Sequence, residues 1–352
     1  MPSFSLAAAG VIVSLALAAC DAPNGVAAVG AQATSAGVPG DTFSFGLWGD
    51  MPYKKAGDAP KLPAMLQSIN ASDIAFSLYD GDIKDGSSKC GNGIYTDALA
   101  MFNSMKKPVV YIPGDNEWTD CHRRNNGGMD PLERLAHIRR VMYASPGALG
   151  QQTMPLMHQG KPGEAYVENT RFEYGSVVFA GFNMPGSNNN HIATDKQCTA
   201  KSKRTPADCA QAEAEYLARD AANRRWLAET FAQAQANSAK GVVIVVQAEP
   251  SFDVADTKDG DASQSPETSG YRPFMAALTA ETARFAGQVL FVHGDKHEFK
   301  ADKPLRHLQQ PLGNFTRVET FGSPSLHWVK VTVDPASAAV FQIEPVMVKH
   351  GR

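Results

Sequence analysis

Two stretches of this chain, "GVVIVVQ" at Gly241–Gln247 and "QVLFVHG" at Gln288–Gly294, are apolar at almost every position. A sheet with one wet face alternates polar and apolar side chains, so short unbroken apolar runs predict strands covered on both faces. Such strands need further layers, and helical spacing of apolar residues supplies them in Lys61–Ile69, Ile94–Met105, Pro131–Met142, Ala207–Ala236 and Tyr271–Phe285. In the longest of these, Tyr216, Trp226, Leu227 and Phe231 form a core stripe with charges on the other face. The remaining strand candidates are "TFSFGLWG", "DIAFSLYDG", "PVVYIPG", "RFEYGSVVFAGFN", "TRVETFGS", "HWVKVTVD" and "AAVFQIEPV". The fourth and the last three are expected to be antiparallel, because tight Gly, Pro or Asp turns separate them. With 352 residues, 43% of them hydrophobic, the chain can bury the core of one large α/β sandwich with a mixed sheet. Asn183–Cys209 has no periodicity and reads as a long surface loop.

Five of the strand candidates end alike. "FGLWGD" stops at Asp50, "FSLYDGD" at Asp82, "VVYIPGDNE" at Asp115, Asn116 and Glu117, "GVVIVVQ" at Gln247, and "VLFVHGDKH" at Asp295 and His297. A single Asp after a strand commonly caps a helix or closes a turn. In open α/β sheets, however, the carboxyl ends of strands converge on one crevice where ligands bind. So many acids in one crevice repel one another unless a cation lies among them. Glu117 is expected to brace its loop, and His293, inside an apolar run, to be a core residue.

A formal charge of -3 provides no basic field for a polyanion, so nucleic-acid binding is not expected, while small anionic substrates remain open. The N-terminal run "LAAAGVIVSLALAAC" has signal-peptide length and ends in small residues. Leu17, Ala18, Ala19 and Cys20 resemble a bacterial lipoprotein processing site. The resemblance implies an exported protein of the cell envelope, lipidated at Cys20 and touching the membrane through that anchor alone. On this division residues 1–20 are signal, 21–41 a flexible small-residue tether and 42–352 the folded domain. Export favours disulfides among Cys90, Cys121, Cys198 and Cys209. Three pairings are possible; joining Cys198 to Cys209 closes a short polar loop and leaves Cys90 to Cys121. A four-cysteine zinc site is the competing arrangement, but no spacing is of the short Cys-x-x-Cys type.

The order "GD" at Gly49-Asp50, "GDIKD" at Gly81–Asp85, "GDNE" at Gly114–Glu117, a strand ending at Gln247 and "GDKH" at Gly294–His297 resembles the five signature blocks of calcineurin-like metallophosphoesterases. The resemblance runs from about Phe43 to the C-terminus. It implies a four-layer α/β/β/α sandwich with two mixed sheets, and a two-metal centre that hydrolyses phosphate mono- or diesters through a metal-bound hydroxide. Several positions depart from the family pattern. Pro52 stands where the first block has His, Asp115 and Asn116 replace the Asn-His of the third, Gln247 replaces the His of the fourth, and Asp295 the first His of the last. Most of these replacements still offer an oxygen. Carried over position by position, Asp82 would bridge two divalent cations, with Asp50 and His297 on one side and Asp115, Gln247 and Asp295 on the other. Such an oxygen-rich set suits Mg²⁺, Mn²⁺ or Ca²⁺ better than Zn²⁺. Asn116 would assist catalysis by hydrogen bonding, His122 could supply the proton that Asn116 cannot, and Arg123 could bind substrate phosphate. The second class of function is a binding or scaffold lipoprotein that retains the fold without turnover.

Overall fold

Strand Phe43–Trp48 is buried on both faces, as its apolar run requires, because a helical layer lies on one side of its sheet and a second sheet on the other. The structure, a computed structural model, describes residues 1–2, 32–33, 37–38, 40–252 and 265–350. Packing divides the chain into Met1–Gly30 and Ala31–Arg352, and every element below belongs to the second unit. The principal elements are β1 (Phe43–Trp48), α1 (Leu62–Ala71), β2 (Ser77–Tyr79), α2 (Asn92–Asn103), β3 (Val109–Tyr111), α3 (Pro131–Met142), β4 (Met157–His158), β5 (Thr170–Tyr174) and β6 (Val177–Gly181). They continue with α4 (Pro206–Ala236), β7 (Gly241–Val245), α5 (Arg272–Arg284), β8 (Gln288–His293), β9 (Lys300–Asp302), β10 (Phe315–Glu319), β11 (Trp328–Val333) and β12 (Phe341–Val346).

Two mixed sheets result, ordered β12-β11-β1-β2-β3 and β9-β10-β8-β7-β6-β5-β4. In the first, β1, β2 and β3 are parallel and β11 runs antiparallel to both β1 and β12. In the second, β6, β7, β8 and β10 are parallel, with antiparallel strands at both edges. The expectation for "TRVETFGS" is corrected here: β10 is parallel to β8. The chain reverses once into β9, which pairs antiparallel with β10, and that second reversal restores the direction of β8.

Three apolar layers hold the four structural layers together. Phe45, Leu47, Leu78 and Val110 of one sheet meet Phe179, Val243, Leu290 and Val292 of the other. Outside the five-stranded sheet, Trp48, Tyr79 and Tyr111 pack on Met65, Tyr95, Phe102, Leu135 and Ile138 of α1, α2 and α3. Outside the seven-stranded sheet, Val242, Ile244 and Phe291 pack on Trp226, Leu227 and Phe231 of α4 and on Phe274 and Leu278 of α5. Local chemistry fixes the helix starts: Pro131 opens α3 behind an Asp130 cap, and Thr205 with Asp208 forms a capping box for α4.

The first part of Asn183–Cys209 is not the surface loop that its lack of periodicity suggests, whereas most of Ala193–Asp208 is exposed as expected. Asn183, Asn188, Asn189 and Asn190 are buried, and Arg219 of α4 donates to the Asn183 and Asn189 carbonyls and to Asn189 Oδ1. Ser187 to Asn190 all have positive φ, a left-handed turn that asparagine tolerates better than most residues. The far half is stapled by Cys198–Cys209, and Cys90–Cys121 joins the loops that follow β2 and β3. By the chain-entropy relation a crosslink over 31 residues stabilises by about 3 to 4 kcal/mol. Cys90→Ser with Cys121→Ser is therefore expected to lower stability by that order in denaturant unfolding, with the loops after Asp82 and Asp115 losing amide protection first. The two disulfides fit an exported protein. No helix among the described residues is long and apolar enough to cross a membrane, and Cys20 lies outside the described residues.

Candidate metal centre

The carboxyl ends of β1, β2, β3, β7 and β8 meet, and hydrogen bonds join the side chains they carry. Asp50 Oδ1 accepts from the Tyr53 hydroxyl at 3.2 Å and stands 3.3 Å from His297 Nε2, while its Oδ2 accepts from the Asp295 backbone N–H at 3.0 Å. Asp82 Oδ1 accepts from the Asn116 backbone at 3.0 Å. Asp82 Oδ2 accepts from Asn116 Nδ2 at 2.6 Å, and from Gln247 Nε2 and the Tyr53 hydroxyl at 3.3 Å each. Asp295 Oδ2 accepts from the Glu249 N–H, and Asp115 Oδ2 from the Ser187 hydroxyl at 2.7 Å. Asp50, Asp82, Asp295 and His297 all hold positive φ. Non-glycine residues rarely do so, and the surrounding structure has to hold each of them there.

Close packing explains the glycine that precedes these acids. A Cβ on Gly114 would fall 2.1 Å from Asp82 Oδ1, and one on Gly294 would fall 1.9 Å from Asp50 Oδ2. Gly114 and Gly294 therefore leave room for the carboxylate of a different block, and Gly81 for the Gln247 side chain. Glu117 braces the loop as expected: its Oε1 accepts from the backbone N–H groups of Asp82 and Gly114 and from the Tyr111 hydroxyl.

The electrostatics are those of uncompensated acid. Burial, then the charges of Asp115, Glu117 and Asp50, push the Asp82 carboxyl well above its ordinary range. Burial, then Asp115 and Asp50, raise Asp295 to about 8. Burial and Asp115 raise Asp120 to about 7. For His297 burial acts downward, but the hydrogen bond and charge of Asp50 outweigh it and lift the imidazole to about 9. Asp80, unnoticed in the sequence beside Asp82, is also buried and pushed up by burial and Asp50. Its Oδ2 accepts from Thr320, while Oδ1 has no hydrogen-bond partner among the described residues.

Tyr53 is the second residue that sequence reasoning missed. Its hydroxyl lies among Asp50, Asp82, His297 and Asn116, so a phenol oxygen reaches the crevice that Pro52 cannot. The signal was present as the only aromatic in "GDMPY". Gln247 requires a correction. Its Oε1 faces the Gly186 N–H at 2.6 Å, a group that can only donate, so the amide nitrogen is what faces Asp82 and Asp295. In this arrangement Gln247 donates to the acids instead of offering an oxygen.

His122 also stands apart from the expectation. The short helical turn Thr119–His122 carries it toward an adjoining cavity, where Nδ1 is 2.6 Å from the Thr119 carbonyl. Burial, then Arg204 and Arg123, lower it to about 4, which leaves it neutral and without a proton to give at neutral pH. Arg123 pairs with Asp120 and donates to Ser187 Oγ, next to Asp115.

No protein-family model matches the chain, and no curated protein matches it. Among solved structures, PhoD is similar over 86% of this chain and 66% of its own length, with a TM-score of 0.53 and 12% identity. The fold, a four-layer α/β/β/α sandwich with two mixed sheets, is similar to that of PhoD. Weaker likenesses join it to GAP50, the anchor in the inner membrane complex of Plasmodium, and to a 5'-nucleotidase from Candida albicans. Their TM-scores are 0.38 and 0.39 at 11% identity, covering 88% and 91% of this chain and 89% and 53% of theirs, and they carry no argument here. The chain thus spans just under two thirds of PhoD and about half of the nucleotidase.

Proposed function

We propose that the chain is an exported phosphoesterase that hydrolyses small phosphate mono- or diesters with divalent cations, two by the family pattern, held in the acidic crevice. The observation that carries this reading is the convergence of the buried Asp50, Asp80, Asp82 and Asp115 with the half-buried Asp295, and with the His297 imidazole 3.3 Å from Asp50 Oδ1. The donor set fits hard cations, being oxygen-rich with one imidazole. Gly186 supports the fit: a Cβ there would fall 2.8 Å from Asp115 Oδ2 and 3.0 Å from Asp295 Oδ1, so the two carboxylates face one spot that a side chain could not share. Asp50, Asp82 and His297 would hold one cation and Asp115 and Asp295 the other, with Tyr53 as an additional oxygen donor.

When bound, the cations supply polarisation of the phosphoryl oxygens and lower the pKa of water. The chain's own residues do the rest. Asn116 donates from Nδ2 and fixes the Asp82 carboxylate, but has no proton for a leaving group. His122, being neutral, does not replace it. Substrates whose leaving groups need no protonation, such as aryl phosphates, are therefore favoured. Arg123, held by Asp120 and Ser187, would steer the substrate phosphate toward Asp115.

Envelope placement and lipidation of Cys20 belong to the same proposal, supported by the Leu17–Cys20 pattern and by the disulfides. The test is to load the soluble form from Asp41 with Mn²⁺, Mg²⁺, Ca²⁺ or Zn²⁺ and compare aryl phosphate monoesters with diesters. Turnover with Mn²⁺ or Mg²⁺ exceeding that with Zn²⁺ is expected. A second reading, a binding protein without turnover, is favoured by two observations. Gln247 turns its oxygen away, and no group of three His, Cys, Asp or Glu stands ready to hold a metal among the described residues. Cation binding with no hydrolysis of any ester would select it.

A further inference from the structure

Beside the acidic crevice lies a cavity of about 350 Å³ with the opposite charge. One wall is the turn after β3, contributing Thr119, Asp120, His122 and Arg123; the other is the stapled loop, contributing Lys196, Lys201 and Arg204. The walls are fastened together. The Arg124 N–H donates to the Lys201 carbonyl, and the Arg204 guanidinium donates to the Gln197 and Cys198 carbonyls, beside the Cys198–Cys209 disulfide. Four cationic side chains, Arg123, Lys196, Lys201 and Arg204, face two carboxylates, Asp120 and Glu267, and Asp120 is already engaged by Arg123. His191, also on the lining, is paired with Glu213.

The cavity adjoins the crevice. Ser187 Oγ lies 2.7 Å from Asp115 Oδ2 and 2.8 Å from Asp120 Oδ1, so one residue belongs to both. Its single hydroxyl hydrogen cannot serve both carboxylates, and Arg123 approaches the same oxygen at 3.1 Å. A ligand leaving the crevice past Asp115 therefore meets a guanidinium and then two lysines. Such a field has no use for an apolar or cationic leaving group, and it suits a second anion.

We propose that this cavity receives a second phosphate of a small diphosphorylated substrate whose other phosphate reacts in the acidic crevice. The inference rests on the phosphoesterase reading and names its substrate class. Lys196 and Lys201 are exposed and belong to the stapled loop, so removing them leaves the crevice and the disulfide in place. The measurement is the ratio of kcat/KM for an aryl bisphosphate to that for the matching aryl monophosphate, in the wild type and in Lys196→Ala with Lys201→Ala. A preference of about tenfold or more, the worth of a charge-assisted hydrogen bond, is expected in the wild type and falls toward unity in the variant. An equal ratio in both proteins, with turnover retained, overturns the pocket and leaves the phosphoesterase reading standing. If neither ester is hydrolysed with any metal, the phosphoesterase reading fails and the pocket is decided separately by calorimetric titration with the aryl bisphosphate. Binding weakened tenfold by the double substitution then supports an anion site, and equal or absent binding overturns it.

Discussion

Asp82→Ala is expected to abolish turnover while making the metal-free protein more stable. The carboxylate is at the centre of the crevice, accepting from Asn116 twice, from Gln247 and from Tyr53, and facing the charges of Asp50, Asp115 and Glu117. Loss of an outer-shell partner to a metal already costs about 10- to 100-fold, so loss of a proposed ligand should exceed ~100-fold in kcat/KM. Ordinary truncation of a buried side chain destabilises. Here the removed group is a carboxyl whose charged form is disfavoured by burial and by the neighbouring acids, a cost the metal-free fold must bear. The expected pattern is therefore a fall in aryl phosphate hydrolysis together with a rise in the chemical-denaturant midpoint of the chelated protein. A residue with a purely structural role would lose both.

The same repulsion predicts an inverse pH dependence. Asp295 at about 8, Asp120 at about 7 and His297 at about 9 each hold a proton in the folded state over a range where the unfolded chain has released it. With more protons bound in the native than in the unfolded state, the stability of the metal-free protein falls as pH rises. For the two carboxyls the decline begins above the unfolded carboxyl range and ends near their raised values; for His297 it runs from its ordinary value to about 9. Divalent cations should flatten this slope by taking the place of the protons. At a concentration ~100 times the dissociation constant, binding adds about 2.7 kcal/mol, which for a domain of this size raises Tm by about 4 °C. Thermal unfolding across this pH range, with chelator or with Mn²⁺, measures both effects.

The elements were legible because their burial leaves a periodic record. β7 and β8 lie between two layers and so lack alternation, and α4 shows its Tyr216–Phe231 stripe because one helix face packs on the seven-stranded sheet. The direction of β10 was not legible, since it depends on β9, a three-residue edge strand with no apolar pattern to announce it. Block order brought Asp50, Asp82, Asp115, Asp295 and His297 to one crevice, where hydrogen bonds now connect most of them. Orientation is another matter: Gln247 turned its nitrogen inward because Gly186, 61 residues earlier, presents an N–H to its oxygen. The loop that carries Gly186 and Ser187 was read as surface because its burial is polar, held by Arg219 and asparagine side chains, and polar burial leaves no hydrophobic period.

On the phosphoesterase reading, the acidic crevice becomes a hydrolytic centre when it holds divalent cations. That reading is tested most directly by titrating the chelated wild-type protein with Mn²⁺ while recording both bound metal and the rate of aryl phosphate hydrolysis. No rate is expected without metal, then a rate that climbs with occupancy and levels when the crevice is filled, and complete loss on adding chelator. Occupancy that saturates with no hydrolysis, or hydrolysis that persists after the metal is removed, would contradict it.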